Sequence, residues 1–217
     1  MDIEGPVLER LTARAKEQIR RRARALRSAV PESALLARSQ HLCARLLAMA
    51  ELRSPRGVAL FWPIPGRREV DLRSADVECR LRGAAIFYPF MGRRGDADGG
   101  FAAVADASLL QSGGHGFLEP PDGAELARPE DIDVVVVPAL AVSATGHRLG
   151  YGAGFYDTVL PRFAPPAFSI VVAYGFELAG ELPTQDHDVA CDFVLTDEDS
   201  FDQRGASSFS THERQSP

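Results

Sequence analysis

The stretch "DIDVVVVPAL", residues 131–140, decides the fold class. Four consecutive valines are too apolar for a strand with one wet face. They suit a strand covered on both faces, as in a parallel sheet buried between helices. Working outward, "GVALFWP" (57–63), "AAIFYP" (84–89), "FSIVVAYG" (168–175) and "CDFVLTD" (191–197) read as further strands. Helical patterns separate them. Residues 8–28 predict a helix with Leu8, Leu11, Ala15, Ile19, Ala23 and Leu26 inward, at three- and four-residue steps. Its polar side is basic: Arg14, Lys16, Arg20, Arg21, Arg24 and Arg27. Pro31-Glu32 opens a second helix, because proline is welcome in a first turn, with Leu35, Leu42, Leu46 and Met49 buried. These two helices are expected to form a hairpin against the sheet. A third runs from Glu69 to Leu81 with Val70, Val77 and Leu81 inward, and "YDTVLPRF" (156–163) gives a short fourth.

Alternating strands and helices predict an α/β fold: an open, mostly parallel sheet with helices on both faces. It is Rossmann-like, similar to the sugar-phosphate isomerase and CoA-transferase type. The 217 residues suit one domain, placed at 1–200, with a disordered serine-rich tail at 201–217. Residues 91–130 read as loop, with one short edge element near "FAAVA" (101–105). The net charge of −6 opposes a nucleic-acid partner. The only support for one is the basic first helix. Arginine outnumbers lysine 23 to 1, which sets Lys16 apart. Cys43, Cys79 and Cys191 make neither a disulfide framework nor a zinc pattern. No apolar run approaches the roughly 20 residues that span a bilayer, and "MDIEGPVLERL" lacks a secretory leader. The expectation is a cytoplasmic protein with no membrane partner, monomeric or a weak homodimer.

"RLGYGAGFYD", residues 148–157, is the chemically informative segment. Gly150, Gly152 and Gly154 alternate with other residues. A dinucleotide fingerprint needs its glycines directly after a strand and an acid about 20 residues later; a P-loop needs a Lys-Ser/Thr pair. Both patterns fail here. Two readings stay open. In one, the glycines aim backbone N–H groups at a phosphate, aided by Arg148 and the start of the next helix, with Asp157 serving a magnesium ion. In the other, the segment is a turn with a helix-capping aspartate.

The stretch "VPALAVSATGHRLGYGAGFYD" (137–157) resembles the signature of the 5-formyltetrahydrofolate cyclo-ligase family. "KEQIR" (16–20), "REVDL" (68–72), "GFLEP" (116–120) and "LPTQDHDVACDFVLTD" (182–197) resemble its other anchors, in the same order. The resemblance covers roughly residues 14–199. It implies ATP-dependent closure of 5-formyltetrahydrofolate to 5,10-methenyltetrahydrofolate, with Mg²⁺ and a reduced folate as partners. Lys16 and Arg148 would be catalytic. Lys16, Arg20, Arg148, Gly150, Tyr151, Gly152, Ala153, Gly154, Phe155, Tyr156 and Asp157 would surround ATP, with Asp157 at the metal. Phe61, Trp62, Glu69, Tyr156 and Asp192 would meet the folate. His187 and Asp188 would shape the rim. Arg21, Arg24 and Arg27 are left as a solvated helix surface. The chain departs from the family pattern at Ala139, Ser143, Ala153, Phe155, Thr158 and Glu177. The competing readings are a divergent or non-catalytic relative that binds folate or nucleotide, and another enzyme on a similar sheet with its own acid–base pair.

Overall fold

A computed structural model describes residues 4–92, 99–113 and 116–204. In chain order the elements are α1 (Glu4–Ala29), α2 (Glu32–Ala48), β1 (Gly57–Ala59), α3 (Arg73–Leu81), β2 (Ala85–Phe90), β3 (Gly100–Ala103), β4 (Gln111–Ser112), β5 (Leu118–Glu119), β6 (Val134–Pro138), β7 (Ala141–Ser143), β8 (Arg148–Leu149), α4 (Phe155–Phe163), β9 (Phe168–Ala173), β10 (Leu178–Ala179), β11 (Phe193–Thr196) and β12 (Ser200–Asp202). Short 3₁₀ turns connect several of them.

The main sheet has seven strands in the order β12-β11-β9-β6-β1-β2-β3. The five inner strands are parallel, and β12 and β3 close the two edges antiparallel. The expected edge element near residue 101 is β3. The valine run behaves as its composition demands. Val134 and Val136 face one apolar cluster, with Leu42, Leu46 and Ile170. Val135 and Val137 face another, with Val159, Leu160 and Phe163. Helices α2 and α3 thus cover one face and α4 the other, so each valine is withdrawn from water. Each such burial contributes on the order of 1.5–3 kcal/mol.

Several sequence expectations shift. Helix α1 is longer than predicted, and its buried face differs. Leu8, Leu11 and Leu26 are exposed, whereas Lys16, Ala23 and Arg27 are buried. A cationic stripe, not the leucine stripe, faces the protein. Because it packs on β7 at the mouth of the sheet, α1 does not pair with α2 as a simple hairpin. Pro31 caps α2 from outside, its carbonyl accepting from the N–H groups of Ala34 and Leu35. The third helix starts at Arg73, so Glu69 lies in a loop ahead of it. Val77 and Leu81 are exposed, while Ala75, Asp76 and Cys79 face inward. Strand β12, Ser200–Asp202, falls at the start of the stretch expected to be a disordered tail; residues 205–217 lie outside the described residues. No helix among the described residues is long and apolar enough to cross a membrane.

Candidate active site at the carboxyl ends of the strands

Following the chain, strand order reverses between β1 and β6. The chain steps from β1 outward to β2 and β3, then returns to β6 on the other side of β1. Open α/β sheets hold ligands at such a crevice, and a cavity of about 550 Å³ lies there. Leu60 still donates its N–H to Phe87 O at 2.9 Å. The next two residues, Phe61 and Trp62, leave the sheet and line the cavity. Trp62 meets Tyr88 edge-on, with ring centroids 6.1 Å apart.

The gap between the valine strand and the glycine loop is filled by a hairpin, β7 to β8, with Ala141 opposite Leu149 and Val142 opposite Arg148. It carries the loop back to the cavity. Gly152 and Gly154 adopt φ values of +103° and +69°, and Gly154 caps α4. Side chains rarely take this backbone region. Gly150 does not adopt it; its carbonyl accepts from Arg20 Nε at 3.0 Å. Neither does Ala153, so the methyl at this departure from the family pattern adds no strain of that kind.

Cations line part of the cavity wall. Lys16 is 5% exposed and donates to Asp188 Oδ2 at 2.6 Å and Gln185 Oε1 at 2.9 Å. Burial pulls the Asp188 carboxyl upward, but the Lys16 ammonium and the Gln185 N–H outweigh it and hold the carboxyl below the usual range. Arg148 donates to Asp157 Oδ1 at 3.0 Å and to Val189 O. Asp157 Oδ1 also accepts from Val189 N–H at 3.1 Å. These bonds seat Arg148 and the first turn of α4 against the segment after Asp188.

The wall also carries aromatic faces and a buried carboxyl. Glu69 Oε2 accepts from Ile64 N–H at 2.7 Å. Burial pushes its pKa up, and the Ile64 N–H, Tyr151, Arg27 and Arg67 oppose that shift. The Tyr156 ring lines the cavity, while its hydroxyl is buried without a hydrogen-bond partner among the described residues. No group of three or more His, Cys, Asp or Glu side chains suited to a metal occurs among the described residues.

The cavity therefore gathers Lys16, Arg20, Phe61, Trp62, Glu69, Arg148, the whole 150–157 segment, His187 and Asp188. Asp192 is the exception. Its Oδ2 accepts from the Ser169 N–H at 2.8 Å and the Ser169 hydroxyl at 2.6 Å. This tie joins the beginnings of β9 and β11, away from the cavity, and is structural. Arg27 also departs from expectation: at 2% exposure it is no surface residue. Its Nε meets Glu177 Oε1 at 2.6 Å, and its Nη2 donates to Ala139 O at 2.7 Å. Two departures from the family pattern, Ala139 and Glu177, thus share one buried partner. Ser143 bonds Thr145 Oγ1 at 2.8 Å and lies off the cavity wall. Sequence reasoning missed Gln185 and the pairing of Lys16 with Asp188. The signal available was one lysine in an arginine-rich chain and the acidic "DHD" at 186–188.

Residues 12–197 match the sequence model of the 5-formyltetrahydrofolate cyclo-ligase family. The chain belongs to that family. A member from Mycolicibacterium smegmatis, named 5-formyltetrahydrofolate cyclo-ligase, is 52% identical over 66 residues, 30% of this chain and 34% of that protein. One from Mycoplasma genitalium is 34% identical over 67 residues, 31% of this chain and 40% of its relative. The chain thus spans roughly a third to two fifths of the length of these curated relatives. Among solved structures, Aquifex aeolicus 5,10-methenyltetrahydrofolate synthetase aligns with a TM-score of 0.75 at 27% identity, covering 93% of this chain and 99% of that one. A Mycoplasma pneumoniae synthetase, at 20% identity and a TM-score of 0.66, shares the fold.

Proposed function

We propose that this protein closes 5-formyltetrahydrofolate to 5,10-methenyltetrahydrofolate at the expense of ATP. One observation carries the reading: a single cavity is lined by cations (Lys16, Arg20 and Arg148), the glycine loop, two aromatic side chains (Phe61 and Trp62) and the buried carboxyl of Glu69. In this reaction ATP supplies the phosphoryl group that turns the formyl oxygen into a leaving group, N10 of the same substrate closes the ring, and ADP and phosphate depart.

The residues present fit such a phosphate chain. Arg20 Nε donates to Gly150 O at 3.0 Å, which keeps that cation against the loop. Lys16, Arg20 and Arg148 would hold the phosphates, as preorganised cations do for phosphoryl transfer. Both recorded bonds to Asp157 fall on Oδ1, so Oδ2 is the oxygen that would face Mg²⁺ or its water, with phosphate oxygens completing the shell. Phe61, Trp62 and the Tyr156 ring would flank the flat heterocycle, and Glu69 would accept from its ring N–H groups. The partly enclosed cavity keeps the activated carbon from bulk water.

The test is an absorbance assay with purified protein, ATP, Mg²⁺ and 5-formyltetrahydrofolate, since the methenyl product absorbs well to the red of the formyl compound. Product formation is expected; its absence overturns the reading. Lys16→Ala should raise the KM for ATP by about tenfold or more, the scale of one lost charged hydrogen bond. An unchanged KM for ATP would remove Lys16 from the phosphate site.

A further inference from the structure

The loop that carries Glu69 contains one strained turn. Arg68 has a φ of +52° and is the one non-glycine residue with left-handed φ among the described residues. A Cβ crowds the backbone in that region, so such a residue persists only where its surroundings hold it. Its own side chain does part of this: Arg68 Nη1 donates to Ser28 O at 2.8 Å and to Val30 O at 3.0 Å. Directly after the turn, Glu69 Oε2 reaches back to Ile64 N–H at the cavity wall. Beneath it lies a buried hydrogen-bond chain that the reaction scheme above does not use. Tyr174 Oη, just after β9, donates to Glu69 O at 3.0 Å and lies 2.9 Å from Ser39 Oγ on α2. Ser39 Oγ accepts from Asp71 N–H at 3.1 Å. A carbonyl only accepts, so the Tyr174 proton goes to Glu69 O, and the Ser39 proton is then given to Tyr174 Oη. The chain therefore grips the backbone at residues 69 and 71, on either side of the buried Val70.

We propose that Tyr174 and Ser39 are positioning residues for substrate recognition: they pin the backbone that carries Glu69 against the strained turn at Arg68, and so place its carboxyl for the N–H donors of the substrate's ring. This rests on the function proposed above. Both side chains are buried and neither lines the cavity, so they act through Glu69 and touch no ligand themselves. Tyr174 is itself fixed on three sides. Its N–H donates to Glu177 Oε2 at 3.1 Å, its ring stacks on Phe176 with centroids 5.3 Å apart, and the Arg27 guanidinium lies over the ring, 5.8 Å from the centroid. Ser39 has the rigidity of α2 behind it, and Cys43, one turn on, donates its Sγ proton to Asp71 O at 3.2 Å. The position of one cavity carboxyl is thus set from the seam between α2 and the end of β9.

The decisive variant is Tyr174→Phe, which removes one oxygen and keeps the stacked ring. The KM for 5-formyltetrahydrofolate should rise about five- to tenfold while the KM for ATP stays within about twofold. Ser39→Ala should act in the same direction and carries the same comparison if Tyr174→Phe does not fold. Because the two residues share one chain, the double variant should lose less than the product of the single losses. Equal rises for both substrates, an unmoved KM for the folate, or fully multiplicative losses would overturn the proposal. Amide hydrogen exchange reads the positioning without turnover. In Tyr174→Phe the Ile64 amide, which donates to Glu69, should exchange about tenfold faster. The Val189 amide, which donates to Asp157 in the wall, should stay within about twofold. Equal acceleration at both amides would reveal a general loss of stability, and no acceleration at Ile64 would show that Glu69 stays in place; either result sinks the positioning role. A wild-type protein that makes no product would instead sink the proposed reaction, leaving the exchange experiment to judge the positioning of Glu69.

Discussion

Glu69 is the residue where stability and ligand binding pull apart. Its pKa in the folded protein lies above the ordinary carboxylate value because burial disfavours the charge. The native state therefore binds this proton more tightly than the unfolded chain does. Its contribution to stability is fully present below the unfolded pKa of about 4.3 and is lost as pH rises through the folded pKa. Above its folded pKa the ionised carboxyl strains the fold. Glu69→Gln should therefore melt at a higher temperature than wild type at pH 7, with the gain vanishing near pH 4. The same variant should lose about 10- to 100-fold in kcat/KM for the folate, as expected for losing a charged acceptor. Calorimetry at the two pH values checks the first half. A variant that melts lower at pH 7 would mean that Glu69 holds its loop by charge. Asp188, elsewhere in the cavity wall, works the other way: paired with Lys16 and depressed, it stabilises above the unfolded pKa of about 3.9 and loses that contribution on acidification.

At the scale of elements, the glycine loop separates positions that a sequence pattern makes equivalent. Gly152 and Gly154 have left-handed φ; Gly150 does not, and a Cβ there meets nothing within 4 Å. Gly152→Ala and Gly154→Ala should each cost about 1–2 kcal/mol. Gly150→Ala should leave the melting temperature nearly unchanged. Denaturant melts of the three variants test this, and equal losses would refute the distinction. The alternating spelling "GYGAG" was legible in the sequence. The unequal roles were not, since φ depends on how the β7–β8 hairpin delivers the loop. The parallel sheet was legible for a direct reason: a run like Val134–Val137 has no wet solution. Helix α1 was misread for an equally direct one. Periodicity counts leucines, yet this helix turns its cations inward because their partners, Asp188, Gly150 O and Glu177, are acceptors already fixed on the body of the protein. Asp192 was misplaced because one carboxylate near a strand looks the same in sequence whether it meets a ligand or Ser169.

The whole molecule ends its sheet on a thin margin. Strand β12 is three residues long, with Val194 opposite Phe201, and among the described residues it alone pairs with the outer edge of β11. Removing residues from 200 onward should expose that edge, lower the melting temperature by several degrees and promote self-association, because unpaired strand edges recruit other strands. Size-exclusion chromatography across a concentration series reads this out. A monomer of unchanged stability would show that β12 is dispensable.

The cations of α1 close the cavity against groups 124 to 172 positions later in the chain: Tyr151, Glu177, Gln185 and Asp188. During synthesis the helix therefore leaves the ribosome long before its partners exist. Its inward face is polar, so it can wait in water without an apolar seam to shield. Nearly the whole chain must emerge before Lys16 meets Asp188. Contacts of such long span form late and slowly. The cavity is then assembled in one closing event, and a nascent chain halted short of Asp188 lacks the carboxylate that seats Lys16 in its wall.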